Sequence, residues 1–208
     1  MTDNDVFEES LDDDVNSLIS KILASLREQI QWVLAIESGP VAPEVDKMLA
    51  QFDERNDYHS IVLHQRVIDK KTNGLNPQEL QLFISSYDLI IRLLNKLGHR
   101  LGLVILEDWI NNHLNKLLNW LDKAFQLVER IVDPTESCSP KEALKEIIQL
   151  QHDSEHAHLM FLRSLYSADR GARVLSQAEA LDLTVMDIID QTSRLAQRAL
   201  VLFKIMSR

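Results

Sequence analysis

The sequence predicts an all-α fold, an antiparallel bundle of five to seven long helices. Three observations carry this expectation. Only five glycines and five prolines occur in 208 residues, nearly all of them where a helix would start or stop. Along most of the remainder, apolar residues recur at i, i+3, i+4 and i+7, the pattern of a helix that buries one face. No repeat of fixed period is present, which argues against a helical solenoid, and short connections favour antiparallel neighbours.

The first helix is expected to start at Asp13 or Asp14 as N-cap and to run to Glu37, with Val15, Leu18, Ile19, Ile22, Leu23, Leu26, Ile30, Val33 and Leu34 on one stripe. Ser38-Gly39-Pro40 ends it. A second helix opens near Pro43, with Val45, Met48, Leu49 and Phe52 inward. The polar run Asp53-Glu54-Arg55-Asn56-Asp57 interrupts that stripe, and the helix is expected to continue through it to about Lys70.

Asn76, Pro77 and Glu79 form a start signal of N-cap, N1 and N3 for the third helix. Its stripe is Leu80, Phe83, Ile84, Tyr87, Ile90, Ile91, Leu94 and Leu97, with a kink or corner expected between Gly98 and Gly102. The fourth helix is expected from Leu103 to Val132, with Trp109 and Trp120 flanking a wide apolar face. Ser139-Pro140-Lys141-Glu142 opens a fifth helix ending near Ala168, and Ser176-Gln177-Ala178-Glu179 a last one. The domain reading is an acidic tail over residues 1–14 and one bundle over 15–208, with 15–72 a possible hairpin packed on 76–208.

Composition narrows the class. The net charge is −10, and the first 14 residues hold seven acids and no Lys or Arg. Removing those seven charges leaves −3 for residues 15–208, a nearly balanced body that argues against nucleic acid as a partner. A single cysteine, Cys138, permits no internal disulfide. The most apolar stretch, Leu80 to Leu106, contains Asp88, Arg92, Lys96, His99 and Arg100, so no membrane span is expected. A cytoplasmic protein follows from these features together.

Three constellations are candidates for function. In the fifth helix, Gln151, Glu155 and His158 fall on a stripe set by Leu144, Ile147, Ile148, Leu162 and Leu165. Polar groups on a core face need hydrogen bonds, charge partners or a metal. Glu155-x-x-His158 has the spacing with which ferritin-like bundles present two metal ligands, but no second Glu-x-x-His occurs in the chain. The alternative is a buried polar network in which His158 bonds Glu155 or another helix, with His113 and Thr192 as partners. His152 and His156, four apart, form a separate pair on the opposite face; His59 and His64 are read as solvated or packing residues.

The second constellation is Arg92-Leu-Leu-Asn-Lys-Leu-Gly-His99. Its Arg…His spacing resembles the loose signature of the HEPN family of small helical bundles, many of which are ribonucleases. The resemblance spans eight residues and rests on two. It implies that Arg92 and His99 would act on an RNA phosphate across a dimer. Read from the residues alone, Arg92, Lys96, His99 and Arg100 are a basic, solvated strip.

The third is a set of tryptophans. Trp32 lies roughly 120° from the centre of the first helix's stripe, by the ~100° per residue of an α-helix. Trp109 and Trp120 widen the fourth helix's apolar face beyond one neighbour. No glycine-rich phosphate loop, Gly-x-Ser-x-Gly or Cys-x-x-Cys is present. The resulting expectation is a non-enzymatic bundle, without a cofactor, that works through contact with another protein or itself, a dimer being favoured. A metal- or ligand-binding bundle centred on Glu155 and His158, and a HEPN-like ribonuclease, are the alternatives.

Overall fold

Asp14 opens the first helix because its carboxylate satisfies a backbone donor the helix cannot satisfy itself: Oδ1 accepts from the Ser17 N–H at 2.7 Å. A computed structural model describes residues 14–36, 43–132, 139–167 and 171–204. Among them are six α-helices and no strand: α1 Val15–Leu34, α2 Pro43–Ile68, α3 Pro77–Leu101, α4 Asp108–Val132, α5 Pro140–Ser167 and α6 Ala172–Lys204. The chain is an all-α bundle. No helix among the described residues is long and apolar enough to cross a membrane.

Several boundaries differ from the sequence expectation for local reasons. α1 ends at Leu34, before Glu37, in a turn where the Ala35 N–H reaches Gln31 O and Trp32 O; Ser38-Gly39-Pro40 lies outside the described residues, as do the acidic tail up to Asp13 and Cys138. α2 continues through residues 53–57 because Asn56 turns into the core there. It closes in a Schellman motif: the Lys71 N–H bonds Arg66 O at 2.9 Å, the Lys70 N–H bonds Val67 O at 3.2 Å, and Lys70 takes the left-handed position at φ 57°.

Asn76 caps α3 as expected, accepting from the Gln78 and Glu79 N–H groups. The corner expected between Gly98 and Gly102 falls at Gly102, the C-cap of α3, whose N–H reaches Gly98 O; Gly98 has a different role. It lies inside α3, where a Cβ would come within 2.9 Å of the Leu49 Cδ2 atom, so it serves the close packing of α2 on α3. α4 starts at Asp108, five residues later than Leu103. Residues 104–107 are non-helical, and over 103–106 the side chains alternate: Val104 and Leu106 are buried, Leu103 and Ile105 exposed. α5 opens with the Ser139 N–H donating to Glu142 Oε2. α6 opens at Ala172, where Gly171 O accepts from Val174 and Leu175, so Ser176-Gln177-Ala178-Glu179 lies inside the helix and not at its start.

Packing divides the helices into two trios with the same internal arrangement. α1, α2 and α3 pack on one another, as do α4, α5 and α6; α1 then meets α4 and α3 meets α6. Consecutive helices within each trio run antiparallel, as paired contacts show: Trp32 meets Phe52 and Ser25 meets Asn56 between α1 and α2, while His158 meets Asp182 and Gln151 meets Asp190 between α5 and α6. α2 and α5 are therefore the edge helices, each packed only within its own trio. One continuous apolar cluster, from Val15 on α1 to Leu202 on α6, joins both trios.

Candidate partner-binding groove

Each trio buries a polar cluster with a member from all three of its helices. In the first, Ser25 Oγ donates to Asn56 Oδ1 (2.6 Å), Asn56 Nδ2 to Gln29 Oε1 (3.0 Å), and Gln29 Nε2 to Asn95 Oδ1 (2.6 Å). Tyr87 Oη also donates to Asn56 Oδ1, and Asn95 Nδ2 donates to Asp53 Oδ1. Gln29 and Asn56 are fully buried, so these bonds replace lost water. Burial pushes the Tyr87 hydroxyl well above its ordinary range, which keeps it a donor. Burial, with Asp57 nearby, raises the Asp53 carboxyl, against the Asn95 bond and His99, which lower it.

In the second trio one carboxylate serves two imidazoles. Asp182 of α6 is fully buried; its Oδ1 lies 2.6 Å from His113 Nε2 of α4 and its Oδ2 meets His158 Nδ1 of α5. A carboxylate only accepts, so both facing ring nitrogens carry the hydrogens. α3 is tied to α6 beside the second cluster: Arg100 Nη1 donates to Ala180 O and Thr184 Oγ1, two residues either side of Asp182.

Outside the second cluster lies an open groove of about 620 Å³ between α4 and α5. Its α4 wall is Trp109, His113, Lys116 and Trp120, spaced i, i+4, i+7 and i+11 and so on one stripe. The Phe161 ring stacks on His113 at 4.1 Å with an interplanar angle of 3°, and Trp109 leans on Phe161 at 5.3 Å. Met160, 47% exposed, completes the aromatic end. At the other end Lys116 Nζ lies 4.7 Å over the Trp120 ring, near His156 and Asp153.

The candidate residues separate as follows. His158 and His113 come together, through Asp182, and Thr192 does not join them: its hydroxyl donates within α6 to Ile188 O. Glu155 is not on the core face. It is exposed and sits 3.6 Å from His152 Nδ1, because α5 is buried along Ala143, Ile147, Leu150, Ser154, Phe161 and Leu165, a face rotated away from Glu155. Gln151 is half-buried and donates to Asp190. Among the described residues no group of three or more His, Cys, Asp or Glu side chains is arranged to hold a metal ion.

The basic strip disperses. His99 Nδ1 lies 3.3 Å from Asp46 on α2, Arg100 turns to α6, and Lys96 is exposed. Arg92 lines a small depression of about 230 Å³ with Asp53, Asp57 and Asp88, an acidic setting for a phosphate-binding side chain. Trp32 packs against Phe52 of α2 at 6.2 Å, whereas Trp109 and Trp120 both face the groove. Sequence reasoning missed Asp182, Gln29, Asn56 and Asn95. Asp182 was detectable, since it takes a core position four residues after Ala178 and three before Val185. No protein-family model matches the chain, and comparison with the curated proteins finds no match.

Proposed function

We propose that this protein acts by protein–protein contact, as a regulator, adaptor or assembly factor, and that the groove between α4 and α5 is its docking face. The observation that carries the reading is the groove itself: an open trough with Trp109, Phe161 and Met160 at one end and Lys116, Trp120, His156 and Asp153 at the other. From Trp109 to Trp120 is eleven residues, or about 16 Å of helix axis. That length matches three turns of a docked helix, and half-buried tryptophan rings with a polar rim are what such sites use. The buried Asp182 cluster supports the groove by holding His113, and with it the stacked Phe161, in one orientation.

The ligand-centred and nucleolytic alternatives have less behind them, since Glu155 and His158 face different ways and Arg92, His99 and Arg100 engage different helices. The test is site-specific photo-crosslinking in cells. A photoreactive residue at Met160 is expected to give a discrete protein adduct, and one at Gln149, outside the groove lining, is expected to give none. Equal labelling from both positions, or none from Met160, overturns the reading.

A further inference from the structure

The connection between α3 and α4 carries the two most exposed large apolar side chains among the described residues, Ile105 at 81% and Leu103 at 74%. Their neighbours Val104 and Leu106 are buried, at 7% and 8%. Burial that alternates residue by residue belongs to an extended segment with one face on the protein and the other in solvent. Glycine, proline and charge, which blunt a free edge of this kind, are all missing from residues 103–106.

The backbone of the segment is only partly used. The Leu103 N–H bonds Arg100 O and the Val104 N–H bonds Leu101 O, which finishes α3. Glu107 O accepts from the Ile110 and Asn111 N–H groups, which starts α4, and Leu106 O accepts from Asn111 Nδ2. Ile105 stands between. Over residues 102–107 it is the one whose N–H and C=O both lack a partner among the described residues.

We infer that Ile105 pairs with Ile105 of a second copy of this chain, joining two copies across a two-fold axis by a short antiparallel backbone pair. Such a pair exchanges N–H to C=O in both directions, so the free groups of the two copies satisfy each other. Burial and bonding together fix the register. With Ile105 against itself, Val104 lies opposite Leu106 on the inner face, and the two Ile105 side chains lie side by side on the outer face. A slip of one residue sets a buried position against an exposed one. A slip of two sets Ile105 against Leu103 or Glu107, each of which already has one group in use.

A foreign strand would gain no more. The next rungs call on the Leu103 N–H and the Glu107 C=O, both taken, so the edge offers two bonds and no ladder. A second copy needs only those two bonds and brings a matching pair of exposed apolar side chains. The two-fold closes the assembly at a dimer. A contact this small belongs to the weak, transient class.

The purified full-length chain, followed by sedimentation velocity from about 1 µM to about 1 mM, a range that spans weak association, is expected to move from 23.9 kDa towards twice that mass and no further. Over the same range hydrogen exchange of the Ile105 amide, read by NMR, is expected to slow. Ile105→Pro removes the donor and breaks no bond within one copy. It is expected to weaken dimerisation about tenfold or more, the effect of two lost hydrogen bonds. Leu103→Lys with Ile105→Lys, at two exposed positions, is a second variant that does not depend on the proline one folding, and it is expected to stay monomeric.

A wild-type chain that stays monomeric throughout overturns the inference. So does growth beyond a dimer, a lysine variant that dimerises as the wild type does, or an Ile105 amide that exchanges equally fast in the dimer. Neither Leu103 nor Ile105 lines the α4–α5 groove, so this inference and the docking reading fail separately.

Discussion

Replacing Asp182 with Leu tests the buried His113–Asp182–His158 cluster most directly. The substitution removes the one acceptor shared by two ring nitrogens on two other helices. Each orphaned buried donor costs about 1–3 kcal/mol. The two imidazoles retain 12% and 17% exposure, so water reaches part of each ring and the lower half of that range applies. The expected loss is therefore about 2–4 kcal/mol for the pair. For a chain of this length a loss of that size lowers Tm by roughly 5–15 °C. Urea unfolding and a thermal melt measure it.

Asp182→Asn is the control. The amide still accepts from one ring and can donate to the other once that ring changes tautomer, so the expected loss is smaller. Combining Asp182→Leu with His113→Phe and His158→Leu removes the orphans together with their acceptor and is expected to recover most of the stability. An Asp182→Leu chain as stable as the wild type refutes the reasoning. So does a triple variant no better than the single one, which would mean that shape and not hydrogen bonding limits the site.

Three further expectations follow from local geometry. Gly98→Ala should destabilise by about 1–2 kcal/mol, overpacking against Leu49 outweighing the gain in helix propensity, and Leu49→Ala in the same chain should make the two changes less than additive in urea unfolding. Lys70→Gly should stabilise by about 0.5–1 kcal/mol in the same assay, because the left-handed C′ position strains any residue with a Cβ. Asp53→Asn should stabilise the protein near neutral pH: burial raises the folded-state carboxyl above 3.8, so the wild type binds an extra proton on folding just above that value and loses stability as pH rises through the window, a slope that the variant, which retains the Oδ1 acceptor for Asn95, should lack when Tm is followed against pH.

What the sequence made legible was set by local signals. Asp14 and Asn76 cap helices because capping needs only neighbouring residues, and the stripes on α1 and α3 are long enough to fix their buried faces. α5 was harder. Its Leu144, Ile148 and Leu162 are apolar yet lie beside the buried line and not on it, and averaging over them turns the predicted face towards Glu155. The start of α4 was obscured because Leu103 to Leu106 is apolar throughout, so alternation of burial there has no counterpart in hydropathy. The groove needed two helices at once: Trp109 and Trp120 mark one wall, but nothing local shows that Met160 and Phe161 make the other.

The two polar clusters and the two edge helices belong to one physical problem. Six helices with broad apolar stripes can slide on one another by a turn at modest cost, because Leu on Leu is tolerant of register. A cluster joining Gln29, Asn56 and Asn95 is not tolerant: a one-turn shift of α2 parts Asn56 from Ser25, Gln29 and Tyr87 at once and leaves buried amide groups unsatisfied. Asp182 does the same for α5, through His158. Both clusters thus act on the helices that have the fewest neighbours to hold them. One of those helices, α5, carries one wall of the aromatic groove. Recognition by a helix requires side chains at fixed spacing on a fixed backbone, and the buried hydrogen bonds supply that registration from inside the bundle.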